Sequence, residues 1–588
     1  MDKNKITKSL AVFASVLLII IIGVASFAYF GTFNVNLNNN VAVNINSSSP
    51  GNATFTSNAT QLNLQVPAAN MSFTAANNEV AAAENTAFLD VTLTGSSNLL
   101  TTCTYDIVYE YDAGSNVYGQ GTTTKTSGAT KEITIEVNGM NGNNHFATET
   151  NFDHANVQSY YDSTNKYYKL VEGATIKSLG STQSVRWKII GRYYNLDVSQ
   201  AQLGGKNFAG KIYAISKGCS SEDGTTVKKG YETILANNGG AASMTTLTST
   251  DFAKVTTASD KGMYKAQDDL GMSYYFRGAV DNNWVKYGKY TKDTYITADS
   301  NNNFSLVDSC NGLNLCAKLA SKGDDMYWRI IRINGDNSIR MIYVGTYAPD
   351  ANTKVTLTES GNFDDDGNLI GGQKTAVGYS KFNQNYDNAE YVGYMYTIGE
   401  QHGTSKSSDI KTYLEDWYAN YTDLNKTGTK ITDQIYCNDR SASSTQTAAW
   451  TSTVATYHYG ANGRVWNEPV SPDYKCPVAS DKFTTTTAKG NGKLSYPVGL
   501  ITADEITFAG LPAEETNNSF YLYTGDYYWA GSPVAFDTGC SSEFFVDIDG
   551  FLYSGDVSHS RGVRGVVSLS SESKLLGSGT YDDVYVVS

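Results

Sequence analysis

Histidine is scarce in this 588-residue chain, and no two of its five histidines (His145, His154, His402, His458, His559) lie within four residues of each other. A zincin needs His-Glu-x-x-His on one helical turn, and that motif is missing. A three-histidine metal centre has no local support either. Gly-x-Ser-x-Gly, the strained turn that lifts a hydrolase serine out of a sheet, does not occur. Gly490-Asn491-Gly492-Lys493 lacks the spacing and the Lys-Ser/Thr pair of a phosphate loop and reads as a turn. No Lys/Arg cluster follows the first eight residues, and the formal charge is -14. The basic footprint that a phosphate backbone demands is therefore absent, which excludes nucleic acid as a partner. Proline is rare, with 9 residues, and none of the 7 cysteines forms Cys-x-x-Cys. No Leu-Pro-x-Thr-Gly sorting motif occurs, so surface attachment is expected at the N-terminus.

What the chain has instead is tyrosine, 42 residues, among abundant Thr, Ser, Asn and Gly. Aromatic and β-branched residues fit pleated sheets, so the composition points to an exported, mostly β protein. The length is enough for two or more cores. Leu10 to Phe30 is an uncharged apolar run behind Lys3, Lys5 and Lys8. It is long enough to span a bilayer with the N-terminus in the cytoplasm, and a cleaved signal peptide ending near Ala25 and Ser26 is the alternative. Either reading exports the rest, leaving a single-pass surface protein or a secreted one. Residues 1–30 are thus a Lys-rich tip with a membrane or signal segment. Residues 31–63 read as an Asn/Ser-rich stalk, although Phe33 to Leu37 and Val41 to Ile45 alternate like a hairpin. Residues 64–220 carry strand-like runs at Phe88–Leu93, Tyr105–Tyr111, Glu132–Val137, Val185–Ile190 and Gly210–Ile215, the pattern of an immunoglobulin-like β-sandwich serving as a spacer. Residues 221–261 are linker-like, and the last module spans 262–588. Position suggests Cys103–Cys219 and Cys310–Cys316 bridges, with reduced thiols as the alternative.

In that last module, Tyr327 to Tyr343 alternates on both sides of an Asn-Gly-Asp-Asn turn and reads as a hairpin with one covered face, its arginines Arg329, Arg332 and Arg340 among the other positions. Phe544 to Tyr553, broken by Asp549-Gly550, reads as another. Ile410, Tyr413, Leu414, Trp417 and Tyr418 recur at helical spacing after Ser407 and Ser408. Thr502-Ala503-Asp504-Glu505 is a capping box, with Gly510 as the stop. The segment Tyr528-Trp529-Ala530-Gly531-Ser532-Pro533, the hairpin after it and the closing Gly562-Val563-Arg564-Gly565-Val566-Val567-Ser568-Leu569 resemble the end of the bacterial DUF6273 type of domain. The likeness extends through Tyr327–Tyr343 and Ser273–Gly278 back to Gly262. Such domains are similar to the formylglycine-generating-enzyme branch of the C-type lectin fold. The resemblance implies an α+β C-type-lectin-like module, and matching segments at Tyr436–Arg440 and Lys475–Pro477 imply a Cys437–Cys476 bridge.

The resemblance also frames the chemistry. Formylglycine-generating enzymes use a late cysteine pair, whereas Cys540 stands alone here; an oxidative modifying enzyme is the alternative reading, and a structural envelope or fibre subunit a third. Between Phe536 and Arg561, the residues Asp537, Thr538, Gly539, Cys540, Ser541, Ser542, Tyr553, Ser554, Gly555, Asp556, Ser558, His559, Ser560 and Arg561 are all reachable from an AAC codon by changing its adenines. This resembles the variable region of proteins diversified by retroelements. The candidate ligand-binding residues are Tyr527, Trp529, Asp537, Ser541, Tyr553, Asp556, Ser558, His559 and Arg561, facing an extracellular protein or glycan. No cofactor is expected. The acidic turn at Asp364–Asn368, and Asp547 with Asp549, supply oxygen ligands of the calcium type, without the terminal Glu of an EF-hand.

Overall fold

The structure, a computed structural model, describes residues 40–45, 53–65, 81–95, 99–111, 133–141, 144–152, 167–194, 207–300, 303–313, 316–356, 375–467 and 469–588. The expected membrane or signal segment, the Phe33–Leu37 run and the acidic turn at 364–368 lie outside them. Among the described residues no helix is long and apolar enough to cross a membrane. The fold is mostly β, and the chain divides into two units, Met1–Val227 with Ser588, and Lys228–Val587.

In the first unit, period-2 alternation builds long antiparallel strands. Along Ala81–Thr94, Leu89, Val91 and Leu93 are buried, while the residues between them reach solvent. One sheet runs in the order Asn40–Ile45, Ala53–Asn58, Ala81–Thr94, Thr182–Tyr194, Ile133–Asn141, Asn144–Phe152; the other runs Thr60–Gln65, Asn207–Asp223, Leu99–Tyr111, Tyr168–Leu179. The two share one core, in which Trp187 of the first sheet donates its Nε1–H to the Tyr105 hydroxyl of the second at 3.1 Å. All five strand-like runs read from the sequence are present. Cys103 and Cys219 face each other across paired strands and form a disulfide.

The expected stalk is corrected. Asn40–Ile45, Ala53–Asn58 and Thr60–Gln65 are strands of the sandwich, and Phe55, Leu62 and Leu64 are in its core. The many Thr and Asn residues there belong to outward-facing strand positions, which composition alone does not separate from a flexible tract. The expected linker is corrected too. Residues 221–261 contain the helices Gly230–Asn237 and Ser249–Phe252, and Ile234, Met244 and Phe252 are buried in cores of the second unit. The second helix is started by Thr248, whose backbone N–H and hydroxyl both donate to Asp251.

The second unit is built on the Asp325–Ile333 strand, paired with Gly271–Gly278, Trp284–Lys289 and Ile339–Gly345; the last of these pairs in turn with the closing Val566–Leu569 strand. The hairpin closes through Asn334–Ser338, with Asn337 at φ 67°. It is covered on both sides, contrary to the one-sided reading, because every residue of both strands is buried. Its arginines tolerate this because each finds oxygen acceptors: Arg329 at Asn283 and the carbonyls of Val280 and Val355, Arg332 at Asp268 and Glu505, Arg340 at Glu505. Both expected helices form. Asp409–Tyr421 is capped by Ser408 and buries its Ile410–Tyr418 stripe; Ala503–Ala509 starts with the Thr502–Glu505 box and stops at Gly510, φ 122°. Cys310–Cys316 and Cys437–Cys476 are bonded and Cys540 is free.

Candidate functional site

The candidate residues lie on a second sheet of the same unit, ordered Tyr379–Lys381, Ser560–Gly562, Tyr528–Asp537, Cys540–Val546, Leu552–Asp556. Val546 pairs with Leu552, so the Asp-Gly turn belongs to a five-residue loop, 547–551. Asp547 holds this loop by accepting the backbone N–H of Asp549 at 3.0 Å and of Phe551 at 2.8 Å. Gly550, at φ 76°, supplies the left-handed residue.

Cross-strand register lines up Trp529, Phe545 and Tyr553. Phe545 lies 6.0 Å from Tyr527 and 6.4 Å from Tyr553, and Tyr553 continues to Phe551 and Trp466 at 5.4 and 5.8 Å. Arg561 is laid on this row, its guanidinium carbon 3.7 Å from the Phe545 ring, 4.9 Å from Trp529 and 5.6 Å from Tyr527. The row is exposed at its two tyrosines, 37% for Tyr527 and 44% for Tyr553.

Arg561 is half-buried and, among the described residues, has no ion-pair or hydrogen-bond partner. Its Nε is buried without an acceptor, and Nη2 lies over Gly555. Burial draws the guanidinium down to about 10, against the opposing pull of Tyr527, Asp556 and Asp547. The acids nearby are already engaged. Asp556 accepts the Cys540 thiol at 2.7 Å on one oxygen and the Ser558 backbone N–H at 2.7 Å on the other. Burial alone would raise the Asp556 carboxyl, but these bonds hold it below its ordinary value. The Cys540 thiol is pushed up to about 12 by burial and by Asp556, so it is not a thiolate at neutral pH.

The structure thus brings Tyr527, Tyr553 and Arg561 together and places Asp556, Ser558 and His559 in the adjoining turn. Two candidates are corrected. Trp529 is fully buried, donating its Nε1–H to the Ser380 carbonyl at 2.9 Å; Ser541 is fully buried, donating to the Asn388 carbonyl at 2.7 Å. Neither offers surface to a ligand. Asp537 is exposed, but at the far tip of its hairpin, roughly 25 Å along the strand from Trp529 at ~3.3 Å per residue. There Thr538 and Gly539, both at positive φ, make the two-residue turn, and Asp537 accepts the Thr456 hydroxyl at 2.7 Å. Of the AAC-reachable positions, Gly555 is also restricted, because a Cβ there would collide with Arg561 Nη2 and the Phe545 ring.

Sequence reading missed Phe545, Phe551 and Trp466 as members of the row. The first two were visible as strand residues; Trp466 comes from the distant helical turn Asn462–Trp466 and carries no local signal. It also missed a shallow cleft of about 30 Å³ beside the Cys437–Cys476 bridge, lined by Asp268, Arg332, Asp439, Arg464, Asp504 and Glu505 among others. Its charges pair among themselves: Arg464 with Asp439 and Asp504 at 2.7 and 2.8 Å, Arg332 with Asp268 and Glu505 at 2.7 and 3.1 Å. These groups fasten loops and helix to the central sheet. Among the described residues no group of three metal-ligating side chains occurs, and Asp547 serves its own loop. Compared with known proteins, the chain matches no family model and no curated protein.

Proposed function

We propose that the protein is an exported surface protein, membrane-tethered or secreted, whose sandwich presents a C-type-lectin-like recognition module of the DUF6273 type to an extracellular glycan or protein. The observation that carries this reading is Arg561, a half-buried cation stacked on Phe545, itself flanked by the exposed Tyr527 and Tyr553, and without an acceptor among the described residues. Exposed rings and an uncommitted guanidinium are the groups that anchor recognition surfaces. The adjoining turn of Asp556, Ser558 and His559 would extend the face, and retroelement diversification would act on its surface positions, with Ser541 and Gly555 held fixed by packing.

The oxidative alternative requires a second thiol beside Cys540, and the other six cysteines are bonded in pairs. That observation favours recognition over thiol chemistry. The test is a glycan and surface-protein binding screen of the full chain, with and without calcium, beside a variant carrying Ala at Tyr553, Asp556, His559 and Arg561. Saturable binding that the variant loses is the expected result; binding indifferent to all four changes would place recognition elsewhere.

A further inference from the structure

We propose that the row of Tyr527, Phe545, Tyr553 and Arg561 reads a single carboxylate on a sugar, so that the ligand is a glycan bearing a uronic or sialic acid. This rests on the recognition function proposed above and names its chemistry. The Arg561 guanidinium has no acceptor among the described residues, and its N–H donors in a fixed fork match the two oxygens of a carboxylate. The guanidinium is pinned by three rings rather than by an acid. Its orientation is therefore set before any ligand arrives, which lowers the ordering cost of binding. Tyr527 and Tyr553 flank Phe545 at 6.0 and 6.4 Å, so a pyranose stacked on either exposed ring lies next to the ring that carries Arg561.

The surroundings narrow the class further. Asp556 and Asp547 lie within electrostatic reach of Arg561, but their oxygens are engaged by Cys540, Ser558, Asp549 and Phe551, so neither forms an ion pair with it. They do make the rim acidic, and the chain as a whole carries -14. Long-range repulsion thus opposes a dense polyanion such as a nucleic acid or a heavily sulfated chain, and leaves room for one locally read carboxylate. A neutral sugar would stack on the tyrosines and leave the Arg561 edge unmatched.

The test is calorimetric titration of the full chain at about 0.15 M salt with tetragalacturonate, a hyaluronan tetrasaccharide and sialyllactose, each beside its methyl ester. The wild type is compared with Arg561→Lys, which keeps the charge and removes the fork, and with Tyr553→Ala, an exposed truncation. Thermal melting verifies that each variant is folded. At least one acid should bind about tenfold or more tighter than its ester. Arg561→Lys should erase that difference while retaining the ester's weaker binding, and Tyr553→Ala should weaken acid and ester together. Equal binding of acid and ester, or an acid preference that survives Arg561→Lys, would overturn the carboxylate reading and leave glycan recognition standing. Binding of neither form of any probe would overturn the carboxylate reading, and absence of binding in the screen of glycans and surface proteins would overturn recognition itself.

Discussion

Arg440 and Arg561 end in the same guanidinium and belong to the same unit, yet their surroundings are opposites. Arg440 is fully buried and saturated: Nε and Nη2 reach Asp481 at 3.0 and 2.6 Å, and Nη1 reaches the carbonyls of Met395 and Gly403 at 2.8 and 2.9 Å. Arg561 has three aromatic faces and, among the described residues, no acceptor. A buried charge is tolerated when its donors are satisfied, and its loss is costly because the partner is left uncompensated. Arg561 escapes that rule only because the ring quadrupoles hold it and its edge meets water. A cation held without an acceptor adds little to the fold and is left free to meet a ligand.

The largest effect that would sharpen this contrast is at the closed site. Asp481→Ala strips Arg440 of its carboxylate inside the core and should cost about 3–5 kcal/mol of unfolding free energy in a urea titration. A cost below about 1 kcal/mol would mean that the closed site is not closed. A middle case is Glu543, fully buried on the strand that carries Phe545, with neither carboxylate oxygen partnered. Burial pushes its carboxyl well above the ordinary value, against the pull of Arg440, so it is held neutral. The unfolded chain ionises this group first as pH rises, so its contribution is fully present below pH ~4.5 and is lost as pH climbs toward the folded value. Glu543→Gln should therefore match the wild type near pH 4 and exceed it increasingly above that, by up to about 1.4 kcal/mol per pH unit until the folded carboxyl ionises. Thermal melts across pH read this directly, and parallel curves would show that Glu543 is partnered.

Arg561→Ala should cost only about 0.5–2 kcal/mol, the worth of its stacking. A loss as large as that of Asp481→Ala would make Arg561 a structural residue and break the comparison. Smallest of all, Cys540→Ser should change stability by less than about 0.5 kcal/mol, and wild-type Cys540 should react slowly with iodoacetamide at pH 8, since burial and Asp556 push its thiol up to about 12. Fast alkylation at that pH would reopen thiol chemistry at this position.

Much of the architecture was legible where one face of an element is apolar. The Ile410–Tyr418 stripe, the Thr502–Glu505 box and the Tyr327–Tyr343 hairpin all carry period and punctuation within the local sequence. Legibility failed where polar residues are structural. Arg329, Arg332 and Arg340 read as polar positions among apolar strand residues, but long-range partners bury them. Threonines and asparagines around Phe55, Leu62 and Leu64 looked like a stalk because the buried half of the pattern was thin. At the candidate site, Tyr553 and Arg561 were readable as surface residues near a hairpin. That Arg561 lies on Phe545, and that Trp529 and Ser541 turn inward, depends on register and on distant segments such as Ser380 and Asn388.

The contrast between closed and open guanidinium groups is tested most directly by treating the native full chain with phenylglyoxal and following each arginine by mass spectrometry over time. The account predicts that Arg561 is modified early, while Arg332, Arg340, Arg440 and Arg564, all buried, stay unmodified until the unit unfolds. Modification of Arg561 as slow as that of Arg440 would contradict it.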